Sequence, residues 1–133
     1  MMDNLAKSEF VISRILQKLA ENGIQSSLFS FDNFDFEDDS FAPFFNQAVK
    51  WLEAEGVIRM DGFSENINGH SRLINPTLTS YGFEVLGKTL ELEGTPTKLA
   101  SAVKTVSEEG KNYSQIGDFF GGLLGGFTKS MGS

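Results

Sequence analysis

Apolar residues recur at helical spacing in several stretches of this chain. Over residues 40–56, Phe41, Phe44, Phe45, Ala48, Val49, Trp51 and Leu52 follow the i, i+3, i+4, i+7 rule. At about 100° per residue they fill one broad stripe. Ser40 is placed to accept a backbone N–H at the start, and Pro43 falls in the first turn, where a missing N–H costs little. Gly56 sits where a left-handed cap is wanted. The outward face is predicted to carry Asn46, Gln47, Lys50 and Glu53. Residues 8–22 predict another amphipathic helix, with Val11, Ile12, Ile15, Leu16 and Leu19 inward and Arg14, Gln17, Lys18 and Glu21 outward, ended by Asn22-Gly23.

The pattern changes between and after these helices. Residues 24–29 read as a short extended segment, and 57–61 as a strand. Residues 62–72, polar and glycine-marked, predict a hairpin loop, and 73–79 the return strand. Pro76 there demands a position without a ladder N–H, at an edge or a bulge. Thr79 or Ser80 then caps a helix predicted over 81–92, with Phe83, Leu86 and Leu90 inward. Pro96 marks a hinge, and 98–108 form a short polar helix with Leu99, Ala102, Val103 and Val106 on one side.

Two local patterns carry a resemblance. One is Leu52-Glu53-Ala54-Glu55-Gly56-Val57-Ile58-Arg59, where the central helix leads into a hairpin. The other is Leu78-Thr79-Ser80-Tyr81-Gly82-Phe83-Glu84-Val85-Leu86, where the next helix begins. With the order helix, strand, short helix, helix, strand, loop, strand, helix, the chain resembles the winged-helix superfamily over roughly residues 5–92. The resemblance implies an α+β fold: a mostly helical winged-helix domain over 1–93 with a small antiparallel β-hairpin wing. Residues 94–112 follow as hinge and short polar helix, and 113–133 as a helical glycine-rich extension serving as a dimerisation or docking arm. In DNA-binding members it would put base contacts on Asn46, Gln47 and Lys50, with His70 and Arg72 near the wing. Asn and Gln suit adenine, and Lys and Arg suit phosphate or guanine.

Charge argues against that role. The 133 residues carry a formal charge of −7, which favours neutral or basic protein partners over nucleic acid or anionic lipid. Five carboxylates, Asp32, Asp35, Glu37, Asp38 and Asp39, directly precede the central helix and alternate with Phe31, Phe34 and Phe36. Brought toward phosphates, they would repel rather than release counterions. Two readings of this segment stand. One is a short helix or turn whose Phe side chains reach the core; the other is an acidic docking surface with aromatic anchors. It lacks the glycine and closing glutamate of an EF-hand loop.

In the tail, Ile116, Phe119, Phe120, Leu123, Leu124, Phe127 and Met131 follow helical spacing, while Gly117, Gly121 and Gly125 repeat every four residues. Each interior glycine costs a helix about 1 kcal/mol relative to alanine. The segment therefore needs a surface for its apolar stripe: its own domain or a dimer mate, a partner protein, or a membrane interface. As a helix, 116–127 rises about 18 Å, short of a hydrocarbon core of about 30 Å.

Catalytic chemistry is not in evidence. His70 is the only histidine and falls in the predicted loop, and no nucleophile elbow, phosphate loop or metal-ligand spacing occurs. No enzyme activity, cofactor or metal is expected. The absence of cysteine and of an N-terminal basic-then-apolar signal is compatible with the cytoplasm. Three functions follow as expectations. The first is a non-enzymatic protein-interaction module, in its sharper form a bacterial immunity or antitoxin-type protein covering a basic toxin. The second is a winged-helix transcription regulator, dimerised by its tail. The third is a peripheral membrane or assembly factor.

Overall fold

A computed structural model describes residues 3–67, 70–110 and 114–124. The predicted docking residue Phe127 and the side chains of Leu123 and Leu124 lie outside that description, as does the Asn68-Gly69 tip of the hairpin loop. The chain is α+β, with five α-helices and small antiparallel sheets among the described residues.

Helix α1 spans Asn4–Asn22 and begins earlier than predicted, because Asp3 caps it. The Asp3 carboxylate accepts the Ala6 N–H at 2.8 Å. Gly23, at φ 68, closes the other end by donating to the Leu19 carbonyl. Phe10, Val11, Ile15, Leu16 and Leu19 are buried. The side predicted to face water is not free: Gln17 is buried and Arg14 half-buried. A second helix from far along the chain lies against α1 there, which the local pattern does not encode.

Strand β1 (Leu28–Ser30) leads into a 3-10 turn over Phe31–Phe34 and a second over Asp39–Phe41. The short helix or turn expected in this segment takes this 3-10 form. In a 3-10 turn residues three apart share a side, which sends both Phe31 and Phe34 into the core.

Helix α2 covers Ala42–Ala54, with Pro43 in its first turn as predicted. Ser40 does not cap it. Instead Asp38 caps the preceding 3-10 turn, accepting the Ser40 N–H at 2.8 Å and the Ser40 hydroxyl. Phe41, Phe45, Ala48, Val49 and Leu52 are buried, with Phe44 and Trp51 packed against them. Gly56 leaves the helix at φ 77.

The hairpin is longer than predicted. Strands β2 (Ile58–Arg59) and β3 (Gly62–Ser64) run out, and β4 (Arg72–Ile74) and β5 (Thr77–Leu78) run back in one continuous register. Pairing thus extends into the stretch predicted as loop. Pro76 falls in the gap between β4 and β5, where its missing N–H breaks no ladder bond. Strand β1 adds to β4, giving the sheet order β1-β4-β3.

Helix α3 is Ser80–Leu86, and the prediction of a helix to residue 92 fails. Gly87 ends α3, and strands β6 (Thr89–Leu92) and β7 (Thr95–Lys98) form a hairpin. Its turn is Glu93-Gly94, both at positive φ (52° and 81°), the backbone twist that two-residue hairpins require. Phe83, predicted inward, is 45% exposed. The start of α3 explains the Leu78-to-Gly82 pattern. Thr79 caps the helix by accepting the Gly82 N–H at 2.9 Å, and its own N–H bonds to the Val57 carbonyl. A Cβ on Gly82 would overlap that same Val57 oxygen.

The hinge expected at Pro96 is strand β7, and the helix predicted over 98–108 is α4 (Leu99–Glu109), a core helix. Leu99, Ala102, Val103 and Val106 are buried, and α4 packs along α1. Helix α5 (Ser114–Leu124) then lies against β6. One hydrophobic cluster joins α1, α2, α4 and α5.

Candidate functional site

The acidic segment is a charged rim on an aromatic scaffold. Phe36 is the hub. It stacks on Phe31 (5.2 Å between centroids) and on Phe41 (5.5 Å), and it meets Phe45 and Phe10 edge-on at 6.0 Å each. Phe34 completes the group against Phe45 at 5.0 Å and Phe29 at 5.6 Å. These rings hold the backbone from beneath, so all five carboxylates, Asp32, Asp35, Glu37, Asp38 and Asp39, face solvent.

Arg14 pins the segment from the side. Its guanidinium lies 4.8 Å from the Phe10 ring centroid and 5.4 Å from that of Phe36. One terminal nitrogen donates to the carbonyls of Phe34 (2.7 Å) and Asp35 (3.0 Å). Nε donates to the Ser107 hydroxyl and the other terminal nitrogen to the Ser107 carbonyl, both at 2.6 Å. Burial pulls the guanidinium below its ordinary range, opposed by the charges of Asp35, Glu37 and Glu108. Arg14 therefore ties the acidic segment to the end of α4, two parts of the chain about 70 residues apart in sequence.

This junction adds acids. A cleft of about 630 Å³ has Glu37 and Asp38 in its lining together with Glu108 and Glu109, and the charges of Lys7 and Arg14. Gln17 donates to Glu108 at 2.7 Å. Sequence reading missed Arg14, Glu108 and Glu109 as members of this surface. A signal for the last two existed: acids in the final turn of a helix oppose its dipole, so they call for another reason to be there. Within the segment, the Ser40 hydroxyl and then its N–H hold Asp38 below the ordinary carboxylate range, with a smaller contribution from Lys7. Asp35 pairs with Lys18 at 3.5 Å, an exposed contact worth under about 1 kcal/mol.

Of the residues predicted for DNA, one is withdrawn from the surface. Asn46 is 2% exposed, a correction to its predicted outward position. Its carbonyl accepts from the Ser71 hydroxyl at 2.6 Å and its amide donates to the Asn66 carbonyl at 3.2 Å, so it fastens α2 to the hairpin loop. Lys50 donates to both oxygens of Glu65 at 3.0 Å. Gln47, His70 and Arg72 are exposed, the first on α2 and the others at the hairpin.

Two of the predicted docking residues of the tail are already used. Ile116 and Phe120 are buried in the domain's own core, and Phe119 packs partly against it. Among the described residues, no group of three His, Cys, Asp or Glu is placed to hold a metal ion, and no helix is long and apolar enough to cross a membrane. No protein-family model, curated protein or solved structure matches this chain.

Proposed function

We propose that this protein is a non-enzymatic interaction module that offers its acidic rim to a basic protein partner. The observation that carries the reading is the separation of roles within residues 31–41: every Phe turns into the aromatic scaffold and every carboxylate turns out. Such a rim is ordered before a partner arrives, so little conformational entropy is lost on binding. Glu108 and Glu109 widen it across the cleft. A toxin with a cationic working face, such as a nuclease, is the kind of partner this surface would cover, as an immunity or antitoxin-type protein does. The scaffold beneath is read as a winged helix, with α2 as the central helix and β2–β5 as the wing.

The test is capture from a native lysate with the wild type and with a variant carrying Asp32→Asn, Asp35→Asn, Glu37→Gln, Asp38→Asn and Asp39→Asn. The reading expects one basic protein, retained by the wild type, released by salt and lost with the variant. Elution of the wild type alone at every salt concentration would sink it, and so would equal retention by the variant.

The winged-helix order of α2, hairpin and α3 favours a second reading, a DNA-binding regulator using Gln47, His70 and Arg72. A mobility shift with random or genomic DNA at low salt that disappears in Arg72→Glu would establish it over the first.

A further inference from the structure

A buried carboxyl lies beneath the last described helix and has no part in the acidic rim. Glu9 is 6% exposed on α1. With Ser13 and Gln17 it forms a buried polar row at four-residue spacing on a helix whose other inward positions are apolar. The helix above it is α5. A Cβ on Gly117 would overlap the Glu9 carboxylate oxygen, so the glycine provides the room in which this carboxyl sits. The neighbours Ile116 and Phe120 are what α5 contributes to the core. Glu9 therefore occupies the docking interface of α5, between that helix and α1.

We propose that Glu9 is a pH-sensitive latch for α5. With its carboxyl protonated, the helix stays docked. When the proton leaves to solvent, the buried charge favours release of the helix, which uncovers Ile116 and Phe120. The latch is independent of the acidic rim and of any partner bound there.

The electrostatics around Glu9 act in the same direction. Burial is the largest effect raising it above the ordinary value of 4.5, and the charges acting on it are both negative, Asp118 on α5 and Asp3 at the cap of α1. The sign follows by linkage. Docking is fully favoured below the value Glu9 has once α5 has left, which is lower because both burial by the helix and the Asp118 charge are then gone. It weakens as pH rises from there through the higher value Glu9 has when covered, and above that value the weakening is complete. Within the window the docking equilibrium falls with pH, by at most about tenfold per pH unit, the limit for one proton released.

Hydrogen exchange of the full chain, corrected for the intrinsic pH dependence of exchange, reads this directly. The Ile116 to Phe120 amides should lose protection as pH rises through the window, by at most about tenfold per pH unit, while amides in the middle of α2 hold theirs. Glu9→Gln should remain protected with a flat profile. Asp118→Asn should move the upper end of the window to lower pH and needs no change at the buried position, so it serves if Glu9→Gln fails to fold. A flat wild-type profile would overturn the latch. So would a Glu9→Gln profile with the wild-type slope, or an Asp118→Asn profile unchanged from wild type.

Discussion

The acidic segment and α5 look alike in sequence and behave as opposites in the fold. Each mixes large apolar side chains with residues poorly suited to a core, carboxylates in one and glycines in the other. Each reads, from sequence, as a surface waiting for a partner. In the acidic segment the two kinds of residue separate cleanly. Phe31, Phe34 and Phe36 join the aromatic scaffold, the acids reach water, and Arg14 satisfies the backbone at the junction. In α5 Ile116 and Phe120 are absorbed by the protein itself, and the mismatch is moved inward to Glu9, a carboxyl held beneath the helix. A surface feature is therefore available for binding only when its polar groups have been left outside. By that criterion the segment qualifies and the buried Ile116 and Phe120 do not.

Removing an anchor on each side tests the comparison most severely. Phe34→Ala deletes a fully buried ring that touches Phe29, Phe36 and Phe45, and should cost about 3–5 kcal/mol of global stability by denaturant unfolding. Phe120→Ala also empties a buried site, but on the helix proposed above to open by itself. Its cost should appear chiefly as lost exchange protection in α5, with a smaller change in the global midpoint. Equal global losses would mean that α5 is as integral as the aromatic scaffold.

Arg14 is the next step down. Arg14→Lys keeps the charge but not the planar fork that reaches two segments at once. Loss of these charge-assisted hydrogen bonds should cost about 2–3 kcal/mol. The acidic segment and the end of α4 should lose exchange protection together, because the same guanidinium holds both. Asn46→Ala comes third. It leaves the Ser71 hydroxyl and Asn66 carbonyl without this partner and should cost about 1–2 kcal/mol by thermal unfolding. Any DNA affinity should be unaffected, since the amide is not at the surface. A selective loss of DNA binding with unchanged stability would reverse that assignment.

Much of the scaffold was legible because it is local. The stripes of α1 and α2, the Gly56 exit and the Thr79 cap all follow from spacing and from single-residue conformational preferences. The misses have two physical sources. One is a wrong period: Thr89-Leu90-Glu91-Leu92 alternates in twos and is followed by Glu93-Gly94, which are strand and turn signals, yet Leu86 and Leu90 also satisfy a helical spacing. The other is distance along the chain. The exposed side of α1 became an interface because α4 lies on it, and Glu108 joined the acidic rim because Arg14 and Gln17 reach across. Nothing within a helical window of Arg14 announces Ser107. Asn46 belongs to the same class, since its partners come from the hairpin loop.

The smallest predicted effect bears most directly on the contrast between the two regions, because their carboxyls should respond to pH with opposite signs. Asp38 is held below the ordinary value of 3.8 mainly by Ser40. Its contribution is present above that value and is lost as pH falls through the lower one. Asp38→Asn should therefore unfold slightly more readily than wild type at neutral pH, and the two stability curves should converge in strong acid. Glu9 has the reverse sign, favouring the docked state in acid and opposing it as pH rises. Subtracting each variant's unfolding curve from wild type, with α5 exchange followed in parallel, should give slopes of opposite direction for the two carboxyls. Slopes of the same sign would remove the distinction, since a carboxyl that gains by ionising is hydrogen-bonded in its anionic form, whereas one that loses by ionising is trapped.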